Sequence, residues 1–305
     1  MNTCREQGAA IITAMLVVAL AATAASFMMW QNHLWLRQVE NLDHQAQARW
    51  IARTAIQWGA AILNDDSRDV DHEREKWASN LPPLPAEGGE VTGFIRDAQG
   101  LINLNNLVRN GKHSQSDVVI LTRLMIALEI NPGSINALLD WMDADNEVSY
   151  PGGAEDIQYL ALEPPYRAAN RALEDVSELY RVQGFNRETI LKLQPYVTAL
   201  PAATTINVNT APAEVLMALC SGLQLADATT LIKRRNSQAF KDKAEFQKLL
   251  PQGVQARDED YNVSSQFFNA SAISRNGRVQ VAYQALLERP AQGKTITLWL
   301  KQIEE

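Results

Sequence analysis

Cysteine and histidine are scarce, with two of the first and four of the second in 305 residues. So few thiols exclude a disulfide scaffold. His33, His44, His72 and His113 have no Ser, Cys or Asp at a spacing that suggests a catalytic set. Nor is there a Gly-rich phosphate loop ending in Lys-Ser or Lys-Thr, so no feature supports an enzyme. A basic excess is missing as well. The net charge is −7, which argues against a nucleic-acid partner. Two further absences lie at the N-terminus. No charged residue occurs between Glu6 and Arg37, and no proline interrupts Ala9 to Leu63.

The uncharged run from Ala9 to Trp30 is 22 residues long. That suffices for a membrane-spanning helix of ~20 residues. Three readings compete: a signal anchor, a secretory signal cleaved near Ala22-Thr23-Ala24, and a prepilin leader ending at Gly8. Cleavage at Gly8 would remove Cys4 and leave Cys220 as the one thiol, which leaves the redox compartment open. From Trp35 to Leu63, Leu36, Val39, Leu42, Ala46, Trp50, Ile51, Ala55, Trp58 and Ile62 recur at spacings of about one turn, with Arg37, Glu40, Asp43 and Arg49 between them. This pattern predicts one continuous helix over 9–63, in the membrane at first and packed on a soluble domain afterwards.

Beyond it, Asp65–Asn80 reads as a charged loop with a short helix at Glu73–Ala78. Leu81-Pro82-Pro83-Leu84-Pro85 is extended, because consecutive prolines exclude helix. Val91–Arg96 predicts a strand, Asp97-Ala98-Gln99-Gly100 a turn, and Leu101–Leu104 its hairpin partner. An internal echo follows. Ile102-Asn103-Leu104-Asn105 returns 104 residues later as Ile206-Asn207-Val208-Asn209. Helices are expected after each copy, at Asp117–Glu129 and Ser134–Met142 and at Pro212–Ser221 and Ala226–Arg235, with Asn105 or Thr210 as cap. Two more are expected at Leu173–Val182 and Arg187–Leu193. Tyr261–Ile273, Arg278–Arg289 and Thr295–Gln302 read as an antiparallel meander that joins the Val91–Leu104 hairpin in one sheet, with the helical region inserted between them.

The densest chemistry lies between Asp140 and Asp156. Six carboxylates fall in 17 residues with no Lys or Arg among them. Asp143, Asp145 and Glu147 alternate as in a calcium loop, but Val148 replaces the glycine an EF-hand needs. The turn at Pro151-Gly152-Gly153 can fold Glu155 and Asp156 back onto that group. Like charges so close repel unless a cation joins them, and oxygen donors without His or Cys favour calcium. Asp140, Asp143, Asp145, Glu147 and Glu155 are the candidate ligands of one or two structural calcium ions. Asp156, Asn170 and Glu178 are candidates for the remaining positions. A solvated acidic loop is the alternative. Separately, Leu219–Arg235 resembles a helix-hairpin-helix module in which Gln224 occupies the second glycine position and Lys233, Arg234 and Arg235 are the local basic cluster, a scaffold rather than a DNA-binding version.

Gly8 before the apolar run and Gly100–Asn105 resemble the K-type minor pseudopilin of the type II secretion system (general secretion pathway protein K). So do Leu139–Asp145, Gly153-Ala154-Glu155-Asp156, Pro165–Asn170, Glu178-Leu179, Val182-Gln183-Gly184 and Thr205–Leu216. The resemblance implies an α+β protein of pilin-like fold: a long N-terminal helix on an antiparallel sheet, with a large inserted α-domain of two helix-hairpin-helix (SAM-like) subdomains that binds calcium. The implied domains are a leader at 1–8, the helix at 9–63, sheet segments at 64–104 and 261–305, and the insertion at 105–260. Also implied are an inner-membrane anchor with the N-terminus cytoplasmic and the bulk periplasmic, processing by prepilin peptidase, and no enzymatic activity. Implied partners are I-type and J-type minor pseudopilins in a tip complex, other pseudopilins and the assembly platform. Two residues depart from the general pseudopilin pattern. Ala9 replaces the usual Phe at the first mature position, and Thr13 stands where most have Glu, a change typical of K-type proteins. The competing function is a membrane-anchored helix-hairpin-helix protein that binds nucleic acid for DNA uptake, which the acidic charge and Gln224 disfavour.

Overall fold

The computed structural model describes residues 3–303, with side chains from Ala10 onward. Residues 1–2 of the expected leader fall outside the described residues, and of Gly8 and Ala9 only the helical backbone is described. Helix α1 runs without a break over Thr3–Asp65, 63 residues or ~95 Å at ~1.5 Å per residue. Its first half, including Ile11, Leu16 and Phe27, is exposed on every side. The segment is apolar enough to cross a membrane, with a mean hydropathy of 2.2 over its best window.

The packed face of the second half differs from the expected one. Ala48, Ala52, Ile56, Ala60 and Leu63 are buried and lie against the sheet, at the spacing of one helical face. The large residues Leu42, Trp50 and Trp58 point outward, 65, 70 and 47% exposed. Small residues win the inner face because they let the helix backbone approach the strands closely. A Cβ on Gly59 would already stand 3.1 Å from Ile95 Cδ1.

Five strands form one antiparallel sheet in the order β1 (Leu81–Ala86), β2 (Gly89–Asp97), β3 (Phe267–Asn276), β4 (Val279–Glu288) and β5 (Ile296–Ile303). The prolines of β1 are tolerated because it is an edge strand, where missing N–H donors break no central ladder. α1 lies across β2, β3 and β4, and Trp77 packs edge-on against Phe268 beneath it. Everything between Asp97 and Phe267 is an excursion from this sheet with a core of its own, from Ile102 through Leu121, Leu138 and Leu216 to Val263.

Three local expectations are corrected. Glu73–Ala78 forms turns rather than a helix, because Glu75 Oε2 accepts from the His72 N–H and Trp77 Nε1 and so competes with helical pairing. Ile102–Asn103 does not close a hairpin with β2 but pairs in parallel with Val197–Thr198, since Ile102 and Leu104 bury in the insertion's core. Tyr261–Asn262 likewise leaves the meander and pairs in parallel with Ile206–Asn207.

The insertion holds α2 (Gln115–Ala127), α3 (Ile135–Met142), α4 (Asp156–Leu160), α5 (Arg187–Leu193), α6 (Ala213–Leu219), α7 (Leu225–Ser237) and α8 (Lys243–Leu249). The helix expected at Leu173–Val182 is a 3-10 helix over Val176–Arg181. α4 and α8 are additions to the expected set. α2 packs on α6, and α6 on α7.

The sequence echo has a physical meaning. Asn105 Nδ2 donates to Leu173 O and its Oδ1 accepts from Leu173 N. Asn209 Nδ2 donates to Phe240 O and its Oδ1 accepts from Phe240 N. Each buried amide thus closes a two-point bond on a distant backbone residue, as a strand would. Asn103 and Asn207 accept from the N–H of Asn105 and Asn209 respectively. The capping role expected of Asn105 and Thr210 is therefore corrected: Asn105 is consumed by Leu173, and the Thr210 hydroxyl donates to Asp97. Asn209→Ala would strand two buried backbone groups, each costing ~1–3 kcal/mol. It should lower the denaturant midpoint at unchanged m-value, and an unchanged midpoint would show the bond to be dispensable.

Candidate metal centre

Asp140 lies in the last turn of α3 and is fully buried. Both of its oxygens accept from the Ser149 N–H, at 3.2 and 3.0 Å. Asp143 is the C-cap of α3, its N–H bonded to Leu139 O. Its Oδ2 lies 2.8 Å from His113 Nε2, while its Oδ1 is buried without a hydrogen-bond partner. Asp145 is exposed and its Oδ1 accepts from the Glu147 N–H.

The chain then turns at Pro151-Gly152-Gly153. Gly152 has φ +85°, and a Cβ on Gly153 would overlap Asp140 Oδ2 and the Ser149 backbone. Glycine there is required by the close approach of the loop to Asp140. The turn returns Glu155, whose N–H donates to Gln158 Oε1. Glu155 is 1% exposed, and both of its carboxylate oxygens are buried without a partner.

Asp143, Asp145 and Glu155 each present an oxygen within 4.8 Å of the others. Burial pushes the Glu155 carboxyl up to about 7, and the charges of Asp140, Asp143 and Asp145 add to the rise. Asp143 is raised by burial and pulled back by His113. Asn170 adopts a left-handed backbone at φ 47° and donates its N–H to Trp141 O, and its Oδ1 is a further buried oxygen without a partner. Trp141, Tyr159 and Tyr166 pack against one another beside these residues, with centroids 5.2–6.2 Å apart.

The other candidates stand apart from this group. Glu147 is exposed. Asp156 accepts from Arg167 and the Ala168 N–H, and Glu178 from Arg171 and the Glu174 N–H. Sequence reasoning missed His113 and Ser149, which reach the cluster from 30 and nine residues away and belong to no recognisable pattern. Buried carboxylate oxygens that repel one another and lack donors are chemically matched to a hard cation.

The hairpin between α6 and α7 turns at Gly222, φ +86°. Arg235, one of three clustered cations, is buried and donates to Val208 O and Ala211 O. It serves as a brace for the second echo segment and is lost to any phosphate surface.

A long helix laid on an antiparallel sheet, with a helical domain inserted between neighbouring strands, defines a pilin-like protein. The family described as type II secretion system (T2SS), protein K matches residues 100–202 and 206–264. Type II secretion system protein K of Pseudomonas aeruginosa is 35% identical over 304 residues, covering 95% of this chain and 90% of the relative. That of Aeromonas hydrophila is 29% identical, covering 98% of both. A chain of the crystal structure of the GspK-GspI-GspJ complex from enterotoxigenic Escherichia coli superposes with a TM-score of 0.77 at 26% identity, covering 88% of this chain and 100% of that one. This chain belongs to the type II secretion system protein K family and is a minor pseudopilin.

Proposed function

We propose that this chain is the tip subunit of a periplasmic secretion pseudopilus, a structural rather than enzymatic role, anchored in the inner membrane by α1 with its N-terminus in the cytoplasm. The observation that carries the tip position is the excursion between β2 and β3, a helical domain with its own core. Such bulk would clash within a helical stack of subunits and is tolerated at an end. Thr13 supports the same position. It is uncharged, whereas a glutamate there would meet the N-terminal ammonium of a neighbour in the apolar core, where an unpaired charge costs several kcal/mol. The superposable structure is of a complex with GspI and GspJ, so I-type and J-type minor pseudopilins are the proposed partners. Coexpressed with them and extracted in detergent, the chain should elute in one complex. Elution of each protein alone would contradict the reading.

The acidic cluster is proposed to hold structural calcium through Asp140, Asp143, Asp145, Glu155 and Asn170. Calcium needs six to eight oxygens, so waters complete the set, while Asp156 and Glu178 stay engaged by Arg167 and Arg171. Processing is proposed at Gly8. The mature chain should begin at Ala9 by N-terminal sequencing, and a bulky residue at position 8 should leave the precursor uncut. A mature chain beginning at Ala25 would point to ordinary signal peptidase instead.

A further inference from the structure

The sheet has two faces, and α1 covers one of them. Along β2, β3 and β4, Ile95, Ala270, Ala285 and Leu287 pack beneath α1. Their neighbours in each strand alternate to the opposite face. Cross-strand pairing sets these in two rows: Phe94, Ser271, Gln284 and Lys301, then Arg96, Asn269, Leu286 and Trp299. The insertion overhangs this face with 174–176 and 197–200, which leaves a cleft of about 290 Å³. Small-molecule sites begin at about that size, ~300 Å³.

We propose that this cleft binds a short neutral oligosaccharide.

Unpaired polar groups on its walls point to a ligand rich in hydroxyls. Ser271 and Thr198 are only 7 and 8% exposed, and both line the cleft. Among the described residues nothing bonds their hydroxyls, nor the side-chain amides of Asn269 and Gln284 beside them. Hydroxyls and amides both donate and accept. Water satisfies such groups until a ligand reproduces its bonds. Phe94, 40% exposed, and Trp299 lie on β2 and β5 at opposite ends of the floor, ~14 Å apart across the strands between them. Their rings offer apolar surface to the C–H faces of sugar rings.

Other occupants fit less well. Among the described residues no Lys, Arg or His lines the cleft, whereas Glu174 and Asp175 do. The two cations in the rows are engaged, Lys301 by Asp175 at 3.5 Å and Arg96 by Asn80. A phosphate or carboxylate would therefore meet like charge. β2, β3 and β4 are each paired on both sides, so the floor has no free backbone groups for an extended peptide. A lipid chain would strip water from the polar side chains without replacing its bonds.

The test uses the full-length chain in a detergent without a sugar headgroup. Saturation-transfer NMR is read with triacetylchitotriose, cellotriose and maltotriose, and with trigalacturonate as the charged counterpart. At least one neutral trisaccharide should bind, and trigalacturonate about ten-fold more weakly or less. Cosedimentation with insoluble chitin or cellulose would mark a polymeric source, and binding of trisaccharides alone a free one. Phe94→Ala with Gln284→Ala should weaken binding of the neutral ligand by about ten-fold or more. Gln284→Arg, which fills the cleft from an exposed position, should do the same. Gln252→Ala, an exposed amide in the turn after α8, should not. Unchanged melting temperatures verify that the variants fold. Three results would each overturn the proposal: no transfer to any neutral trisaccharide, wild-type binding by both cleft variants, or trigalacturonate bound as tightly as the neutral sugars. None of them bears on the tip complex.

Discussion

Arg289→Met is expected to destabilise the protein by about 3–5 kcal/mol, the cost of leaving a buried charge without its partner. Arg289 follows β4 and is 1% exposed. Its Nη2 donates to both oxygens of the fully buried Asp71, at 2.5 and 2.6 Å, and to Ser265 O. Its Nη1 donates to Asp66 and to Ser67 O, and its guanidinium stacks over Phe268. One side chain therefore joins the end of α1, the loop after it, and the segment where the chain re-enters the sheet. Asp97 sits alongside, accepting from Asn207, Thr210 and Ser265, so the same junction locks the insertion to β2.

The penalty should depend on pH. Burial pushes Asp71 up to about 7, against the pull of Arg289 and the Ser265 N–H. Its carboxyl in the unfolded chain titrates near ~3.9. Between those values the folded protein holds the extra proton, so Asp71 costs stability as pH rises. Without Arg289 the pull is lost and the carboxyl remains protonated to higher pH. The variant should therefore lag the wild type more at pH 8 than at pH 5. Asp71→Asn added to Arg289→Met should recover part of the loss at pH 8, since an amide needs no proton to stay neutral once the arginine is gone. Denaturant midpoints check each point. A single variant within 1 kcal/mol of wild type would show that the pair does not hold the junction.

The second large effect is expected at the proposed calcium site. With a dissociation constant of ~0.1 mM and ~10 mM calcium, one site adds ~2.7 kcal/mol, equivalent to roughly 5–10 °C in Tm for a domain of this size. Chelation should lower the melting temperature by that amount. Asp143→Ala with Asp145→Ala should abolish the difference, and in chelator the variant should not melt below the wild type by more than the lost His113 contact. The reason is electrostatic. Two of the three charges that press on Glu155 disappear, so the cluster no longer needs a cation to hold its oxygens together. An unchanged melting temperature on chelation, with no metal by elemental analysis, would leave the cluster without an ion.

The legible parts of the fold were those set by local chemistry. The absence of proline fixed the extent of α1, consecutive prolines fixed β1 as extended, and the hairpin of β3 and β4 turns at Gly277, φ +57°, with Asn276 already paired to Val279 in the ladder. The packed face of α1 was misread because hydrophobic size and burial part company there: alanines face the sheet while tryptophans face outward. The two-residue parallel pairings were invisible for another reason. Two residues carry no periodicity, and their partners lie about a hundred or fewer residues away in unrelated sequence. The echo was visible as letters, but its role depends on Leu173 and Phe240, which no spacing rule connects to Asn105 and Asn209. At the acidic cluster, Asp143, Asp145 and Glu155 could be named because they crowd into one loop and its turn. His113 could not, and neither could Arg289, a lone arginine at a strand end whose importance comes wholly from what folds around it.

The central claim is the position of this subunit at the end of the filament. Pseudopili assembled with an epitope in the exposed loop at Gly111 and labelled with immunogold test it most directly. One gold cluster at a filament end is the expected result. Labelling repeated along the shaft would contradict the account.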